Sequence, residues 1–351
     1  MKFNRVLVWF RNDLRINDNA VLTRAIQQSQ EVIPVYCFDS RQFDTNELGF
    51  PKTGSHRANF LIQSIQSLRT SLKSIQGNLV VLQGKPEAEL IKLAEETGAK
   101  AIFFSKEVTS EERNVDKSLE RAAFSKGIAC ESFWQSTLYH IDDLPFPVKQ
   151  TPEVFSHFRK EVEKQSKVRA TLPTPKAINY PAEDLKGKEG EIPELKIWGL
   201  EKPESDSLSW MEVKGGEESA QGRLRSYFWE KDLLKVYKET RNGLIGMDYS
   251  SKFSPWLALG CISPRFIYDE LKKYETQFGA NESTYWLVFE LLWRDYFRFM
   301  MKKYNAKFFQ QAGIQNKGIP VNKHNTHQLQ EWIDGETGVD FVDANMKELK
   351  L

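Results

Sequence analysis

The sequence predicts an α/β N-terminal domain built on a parallel, Rossmann-like sheet, followed by an all-α domain. Three observations carry this. Five short apolar runs alternate with amphipathic stretches in the first 135 residues, residues 136–214 are broken repeatedly by proline, and legible helix starts follow from about 215. The runs are 5–10, 32–38, 79–83, 101–104 and 130–134. Continuous apolar strands separated by helices imply a sheet covered on both faces. The clearest helix spans 57–75, with Phe60, Leu61, Ile65, Leu68, Leu72 and Ile75 on one face.

Between 136 and 214, Pro145, Pro147, Pro152, Pro173, Pro175, Pro181, Pro193 and Pro203 interrupt every pattern, which predicts an interdomain linker with one short helix near 152–165. Beyond it, Ser254-Pro255 and Ser263-Pro264 each read as a serine cap followed by proline at the first helical position. Gly260 closes the first of these helices, Ile267, Leu271 and Tyr274 stripe the second, and a third runs from about Ser283 to Tyr304. The domains are therefore expected at 1–135 and 215–351.

The length, 351 residues, suits two domains, and 40% apolar content excludes a disordered chain. With 49 basic and 48 acidic residues, any nucleic-acid site must be a local patch. Cys37, Cys130 and Cys261 lie far apart, in neither a zinc nor a disulfide pattern. The N-terminal apolar run is too short for a signal peptide and no run reaches membrane-span length, so a soluble, cytoplasmic protein is expected.

The first strand runs into Arg11-Asn12-Asp13-Leu14-Arg15 rather than a glycine-rich turn, and neither a dinucleotide fingerprint nor a P-loop occurs. His324 and His327 lack a third ligand and read as a polar loop, so no metal is expected. Tyr249-Ser250-Ser251-Lys252-Phe253-Ser254-Pro255 puts hydroxyls and a lysine at a helix start, which fits either a phosphate site or an ordinary cap. In the helix beyond it, Glu290, Trp293, Arg294 and Phe297 share a face, as a functional constellation or a buried ion pair with core tryptophan. Arg294, Arg298, Lys302, Lys303, Lys307, Lys317 and Lys323 interleave with aromatic residues, which suits a nucleic-acid strand or a solvated helix face.

Together these segments resemble the photolyase/cryptochrome family, in particular its DASH-type branch. The resemblance rests on Val8–Arg15, on Tyr237–Gly243 continuing through Asp248–Gly260, on Phe289–Tyr296 and on Phe341–Met346, and it covers the whole chain. It implies an antenna domain, a linker and a helical domain holding FAD. Tyr237, Ser250, Ser251, Lys252, Phe253, Ser254 and Arg294 would bind the flavin. Glu290 and Trp293 would receive a flipped pyrimidine dimer as catalytic residues, with Arg298, Lys302 and Lys303 as further DNA contacts. A folate antenna, 5,10-methenyltetrahydrofolate, would meet Glu112.

The implied activity is blue-light repair of cyclobutane pyrimidine dimers, preferentially in single-stranded DNA. The alternatives are a flavin photoreceptor or regulator without repair, and an inactive remnant. Family members continue well past residue 351, so the helical domain is expected to be incomplete. Arg294 would then lack acidic partners, and FAD would be held weakly. Asn322 stands where a relay tryptophan is expected, and Asp340 where proline is usual.

Overall fold

The computed structural model describes residues 1–47, 49–203, 213–318 and 325–350; Asn322, Lys323 and His324 lie outside them. All five apolar runs form strands, β1 (Phe3–Phe10), β2 (Ser29–Asp39), β3 (Val80–Gly84), β4 (Ala101–Ser105) and β5 (Ala129–Phe133). They lie parallel in the order β3-β2-β1-β4-β5. Four helices link them: α1 (Ala20–Gln28), α2 (Ser55–Ser74), α3 (Pro86–Thr97) and α4 (Ser110–Ser125). Asn19 opens α1 by accepting from the Leu22 N–H, and Pro86 opens α3 at a position that needs no donor.

Strand side chains alternate between the two faces. Leu7, Trp9, Ile33, Val35, Ile102 and Phe104 pack with Leu90, Leu93 and Ala94 of α3 and Leu119 and Ala123 of α4. Right-handed crossovers put α1 and α2 on the opposite face. The chain reverses its direction of winding after β3, so the topological switch lies between β1 and β4.

The expected linker helix is α5 (Phe155–Gln165), with a single turn α6 (Ala182–Leu185) after it. Next come α7 (Glu217–Arg225), α8 (Tyr237–Thr240), α9 (Ser254–Ala258), α10 (Pro264–Phe278) and α11 (Glu282–Tyr304). Residues 1–203 and 213–305 form one compact unit. The described residues from 306 onward form a second unit, which contains α12 (Thr326–Asp334) and α13 (Asp340–Lys350). There Asp343 accepts from the Thr337 and Gly338 N–H groups and Lys350 pairs with Asp334 at 3.1 Å. Among the described residues no helix is long and apolar enough to cross a membrane.

One of the two helix starts differs from expectation. Ser263 caps α10, its hydroxyl accepting from the Phe266 N–H on an extended backbone. Ser254 does not cap α9. Lys252 is left-handed (φ 58°) and Phe253 is already helical, so the chain turns in one residue early and Ser254 becomes the first helical residue. A side-chain cap needs the extended backbone that Ser263 has and Phe253 lacks.

Within the first unit, the helices meet the sheet at the end of β1. The Leu14 N–H donates to the Leu259 carbonyl (3.1 Å), and Arg15, only 3% exposed, donates to the Gly260 carbonyl (2.8 Å). Buried Glu217 accepts from the Ile16 and Asn17 N–H groups at 2.8 and 3.0 Å. Gly260 is left-handed (φ 65°), and a Cβ there would lie 2.0 Å from the Asn12 carbonyl oxygen. Gly260→Ala combines this overlap with left-handed strain, and we expect a loss of about 2–4 kcal/mol. Urea denaturation measures it; an unchanged midpoint would show that the joint tolerates a side chain.

Candidate functional site

The face that carries Glu290 and Trp293 belongs to α11, which starts at a complete capping box between Asn281 and Thr284. Glu290 Oε1 accepts from Arg241 Nη1 at 2.5 Å, and the Arg241 guanidinium lies 4.5 Å above the Trp286 ring. Trp293 stacks on Phe155 of α5 (centroids 3.6 Å apart, planes 11° apart) and lies 5.6 Å from the Phe297 ring, which is 47% exposed. The acid is therefore paired and partly accessible, within a continuous aromatic wall.

As expected, Arg294 has no salt bridge to an acid among the described residues, but its donors are taken by main-chain carbonyls. Its guanidinium donates to the carbonyls of Ser136 (2.5 Å) and of Leu257 in α9 (3.1 Å). Burial, aided by neighbouring Arg298, lowers its pKa to about 10. Next to it, Asp295 is fully buried and accepts from the Leu138 and Tyr139 N–H groups, both at 2.9 Å. The expectation of an orphaned charge counted only acidic partners. Main-chain carbonyls satisfy a guanidinium equally well by geometry, and their positions belong to the fold.

The segment 247–254 is fixed from behind. Arg223 of α7 donates to the carbonyls of Met247 (2.7 Å), Ser250 (2.9 Å) and Ser251 (3.1 Å) and pairs with Asp248 (3.1 Å). With the carbonyls turned toward Arg223, the hydroxyls of Ser250, Ser251 and Ser254 make no hydrogen bond among the described residues. Lys252 has no carboxylate partner there; its ammonium lies 3.5 Å above the Tyr249 ring. Phe253 and Tyr237 are buried, Tyr237 in α8 beside α11. Through Leu257, Arg294 ties the helix that follows this segment to the helix that carries Glu290 and Trp293.

The basic residues of α11 divide. Arg298 pairs with buried Glu107 at 2.8 Å, and Lys303 with Glu153 at 2.5 Å and the Thr151 carbonyl at 2.6 Å. Among the described residues Lys302 has no such pair, and it lies 5.7 Å from the Trp134 ring; burial, then Lys106 and Arg113, lower its pKa. His327 pairs with Glu331 at 3.3 Å, and no metal-ligand group occurs among the described residues.

At the carboxyl ends of β1 and β2, a cavity of about 310 Å³ is lined by Trp9, Arg11, Tyr36, Asp39, Arg57 and Glu112, among others. Glu112 Oε2 is buried there without a partner, and burial raises its pKa.

Arg223, Arg241, Asp295 and Phe155 were missed as parts of this site. Arg241 stands inside the Tyr237–Gly243 motif and Asp295 adjoins Arg294, so both carried a signal. Phe155 and Arg223 carried none, because only the fold brings them here.

A sheet wound about β1 and joined at its end to a helical region defines the photolyase architecture. Residues 6–177 match the DNA photolyase family model and 286–351 the FAD binding domain of DNA photolyase. The chain is 47% identical to Cryptochrome DASH of Gloeobacter violaceus over 350 residues, 99% of this chain and 69% of that protein. It is 45% identical to Cryptochrome DASH of Synechocystis, covering 99% of this chain and 70% of that one. The crystal structure of a Synechocystis cryptochrome superposes with a TM-score of 0.93 at 44% identity, covering 99% and 71% of the two chains. A class III photolyase from Agrobacterium tumefaciens follows at 0.77 and 25%, covering 99% and 69%. The chain belongs to the photolyase/cryptochrome family, in its DASH-type branch.

The buried acids of this unit carry a pH signature. Burial, the dominant cause in each, raises Asp13 and Asp116 to about 6 and Asp295 to about 7, against a common 3.8. Between about pH 4 and 7 the folded chain therefore holds protons that the unfolded chain has released, so the unfolding free energy falls as pH rises through that window. Urea midpoints measured from pH 4 to 8 test this, and Asp295→Asn should flatten the slope between pH 5 and 7. A wild-type stability that rises over the same range would contradict the assignment.

Proposed function

We propose that the chain binds FAD and uses it, under blue light, to split cyclobutane pyrimidine dimers, preferentially in single-stranded DNA. One observation carries the reading. The segment with three uncommitted hydroxyls and an acid-free lysine is joined through Arg294 to the helix that presents Glu290 and Trp293. These residues fit the cofactor. Ser250, Ser251, Lys252 and Ser254 offer donors to its pyrophosphate, Tyr237 and Phe253 pack beside them, and Arg294 lies between the two elements.

The chemistry such a flavin supplies is light-driven transfer of one electron to the dimer, which splits and returns it. The protein's own part is positional. Phe155 holds the Trp293 indole flat, so that a flipped base meets a rigid ring and water is displaced from the stack. Arg241 fixes the Glu290 carboxylate near that ring, where it can accept from the polar edge of a flipped pyrimidine. With Arg298 and Lys303 engaged internally, Lys302 is the α11 cation best placed for a phosphate.

A folate antenna is a second element of the proposal. It is supported by the partnerless Glu112 carboxylate oxygen on a cavity at the carboxyl ends of the strands, where open α/β sheets bind ligands.

Visible absorption of the purified chain tests the flavin directly. Lys252→Ala combined with Ser254→Ala should lower flavin content at unchanged secondary structure; full content would reject the phosphate role. Trp293→Ala should weaken binding of a dimer-containing oligonucleotide by about 1–3 kcal/mol, the usual value of one stacked base. With two phosphates contacted, affinity for a single strand should fall with a log–log salt slope of about −1.5. A salt-independent affinity would exclude a phosphate-led interface.

A further inference from the structure

A second cleft, of about 440 Å³, lies at the outer face of α1; neither segment 250–254 nor Glu290 nor Trp293 lines it, and it shares with the site above only Trp134, the ring beside Lys302. Its wall includes Thr23 and Arg24 of α1, Trp134 just after β5, His140, Arg169 and Arg265, and among the described residues no carboxylate lines it. Two of the arginines are held from behind. Arg169 is gripped by both oxygens of Asp143, at 2.6 and 2.8 Å through Nε and Nη2, which leaves Nη1 uncommitted. Arg265, at the start of α10, pairs with buried Asp18 and gives its remaining nitrogen only a 3.4 Å bond to the Ala170 carbonyl. Arg24 is exposed and has no partner among the described residues.

The neutral groups of the wall point to the same kind of ligand. Thr23 Oγ1 is buried without a hydrogen-bond partner. His140 Nδ1 accepts from the Asp142 N–H at 3.2 Å, which leaves the ring proton on Nε2 as a donor. Burial, then Arg169 and Arg265 against the opposing pull of Asp142 and Asp143, lowers the imidazole pKa. Held by acids behind them, Arg169 and Arg265 keep their Nη1 donors for an oxyanion, and unpaired Arg24 keeps its whole fork. The volume is that of a small-molecule site, and the Trp134 ring beside the charges suits a ligand with a flat group.

We infer that this cleft binds a phosphate-bearing anion of about mononucleotide size, held by Arg24, Arg169 and Arg265, with His140 and Thr23 as neutral donors. The phosphate could belong to a free nucleotide or to the end of a nucleic-acid strand. Segment 250–254 contributes nothing to the wall, so this site and the flavin site are separable.

Titration calorimetry on the full chain decides it, with pyrophosphate, a 5′-phosphorylated thymidine tetranucleotide and its unphosphorylated counterpart as probes. Arg24→Glu changes an exposed, unpaired residue, and Arg24→Gln serves as a milder second variant. We expect pyrophosphate affinity of the FAD-loaded chain to fall by about tenfold or more in Arg24→Glu, the loss of one charge-assisted contact. In the wild type, pyrophosphate should also raise the His140 pKa seen by NMR, by offsetting the arginine charges. Binding of the 5′-phosphorylated strand but not its counterpart would assign the phosphate to a strand end; binding of pyrophosphate alone would assign it to a free nucleotide. No pyrophosphate binding, or binding that survives both Arg24 variants, would overturn the inference. Flavin content, read separately, reports on the other site and leaves this result independent of it.

Discussion

The architecture of the larger unit depends on how buried charge is satisfied where the helices meet the sheet. Asp295 has no access to solvent, yet its two oxygens take the N–H groups of Leu138 and Tyr139, and neighbouring Arg294 takes the carbonyls of Ser136 and Leu257. A single helical turn of α11 is thereby bonded in both senses to the chain leaving the sheet and to α9. A buried charge with a missing partner is costly, so any shift of α11 would break several bonds together. That constraint fixes the direction in which Trp293 and Glu290 face.

The segment after β1 repeats the principle. In many α/β proteins this turn is rich in glycine and opens onto a ligand. Here Arg11–Arg15 spends its polar groups on the protein itself: Arg11 pairs with Asp116 at 2.6 Å, Arg15 bonds Gly260, and Asp13 accepts from Gln135 at 2.7 Å. Arg11 and Asn12 of this turn also line the cavity that contains Glu112. The glycine at the joint belongs to the partner segment, where Gly260 lets two backbones touch.

Charge along α11 shows how much the fold redistributes. Read as a string, its basic residues form one stretch suited to phosphates. Folded, Arg298 and Lys303 are bound by Glu107 and Glu153, acids from distant parts of the chain, and Lys302 stays uncommitted. A helix of period 3.6 sends neighbouring residues in different directions, so a run of like charge is divided among several surroundings.

The sequence by itself determined the five strands of a parallel sheet, the helices α2, α10 and α11, and the face shared by Glu290, Trp293 and Arg294. These rest on local periodicity and on capping chemistry confined to a few adjacent residues, such as Ser263-Pro264. Tertiary structure alone decided that Ser254 lies inside its helix, that Arg294 bonds carbonyls rather than acids, that Arg223 braces segment 247–251 and that Phe155 backs Trp293. Each of these joins residues with no shared period or motif, and each turns on where main-chain groups point once the chain has closed on itself. Hydrogen-bond partners at that range follow from three-dimensional position, which no short stretch of sequence encodes.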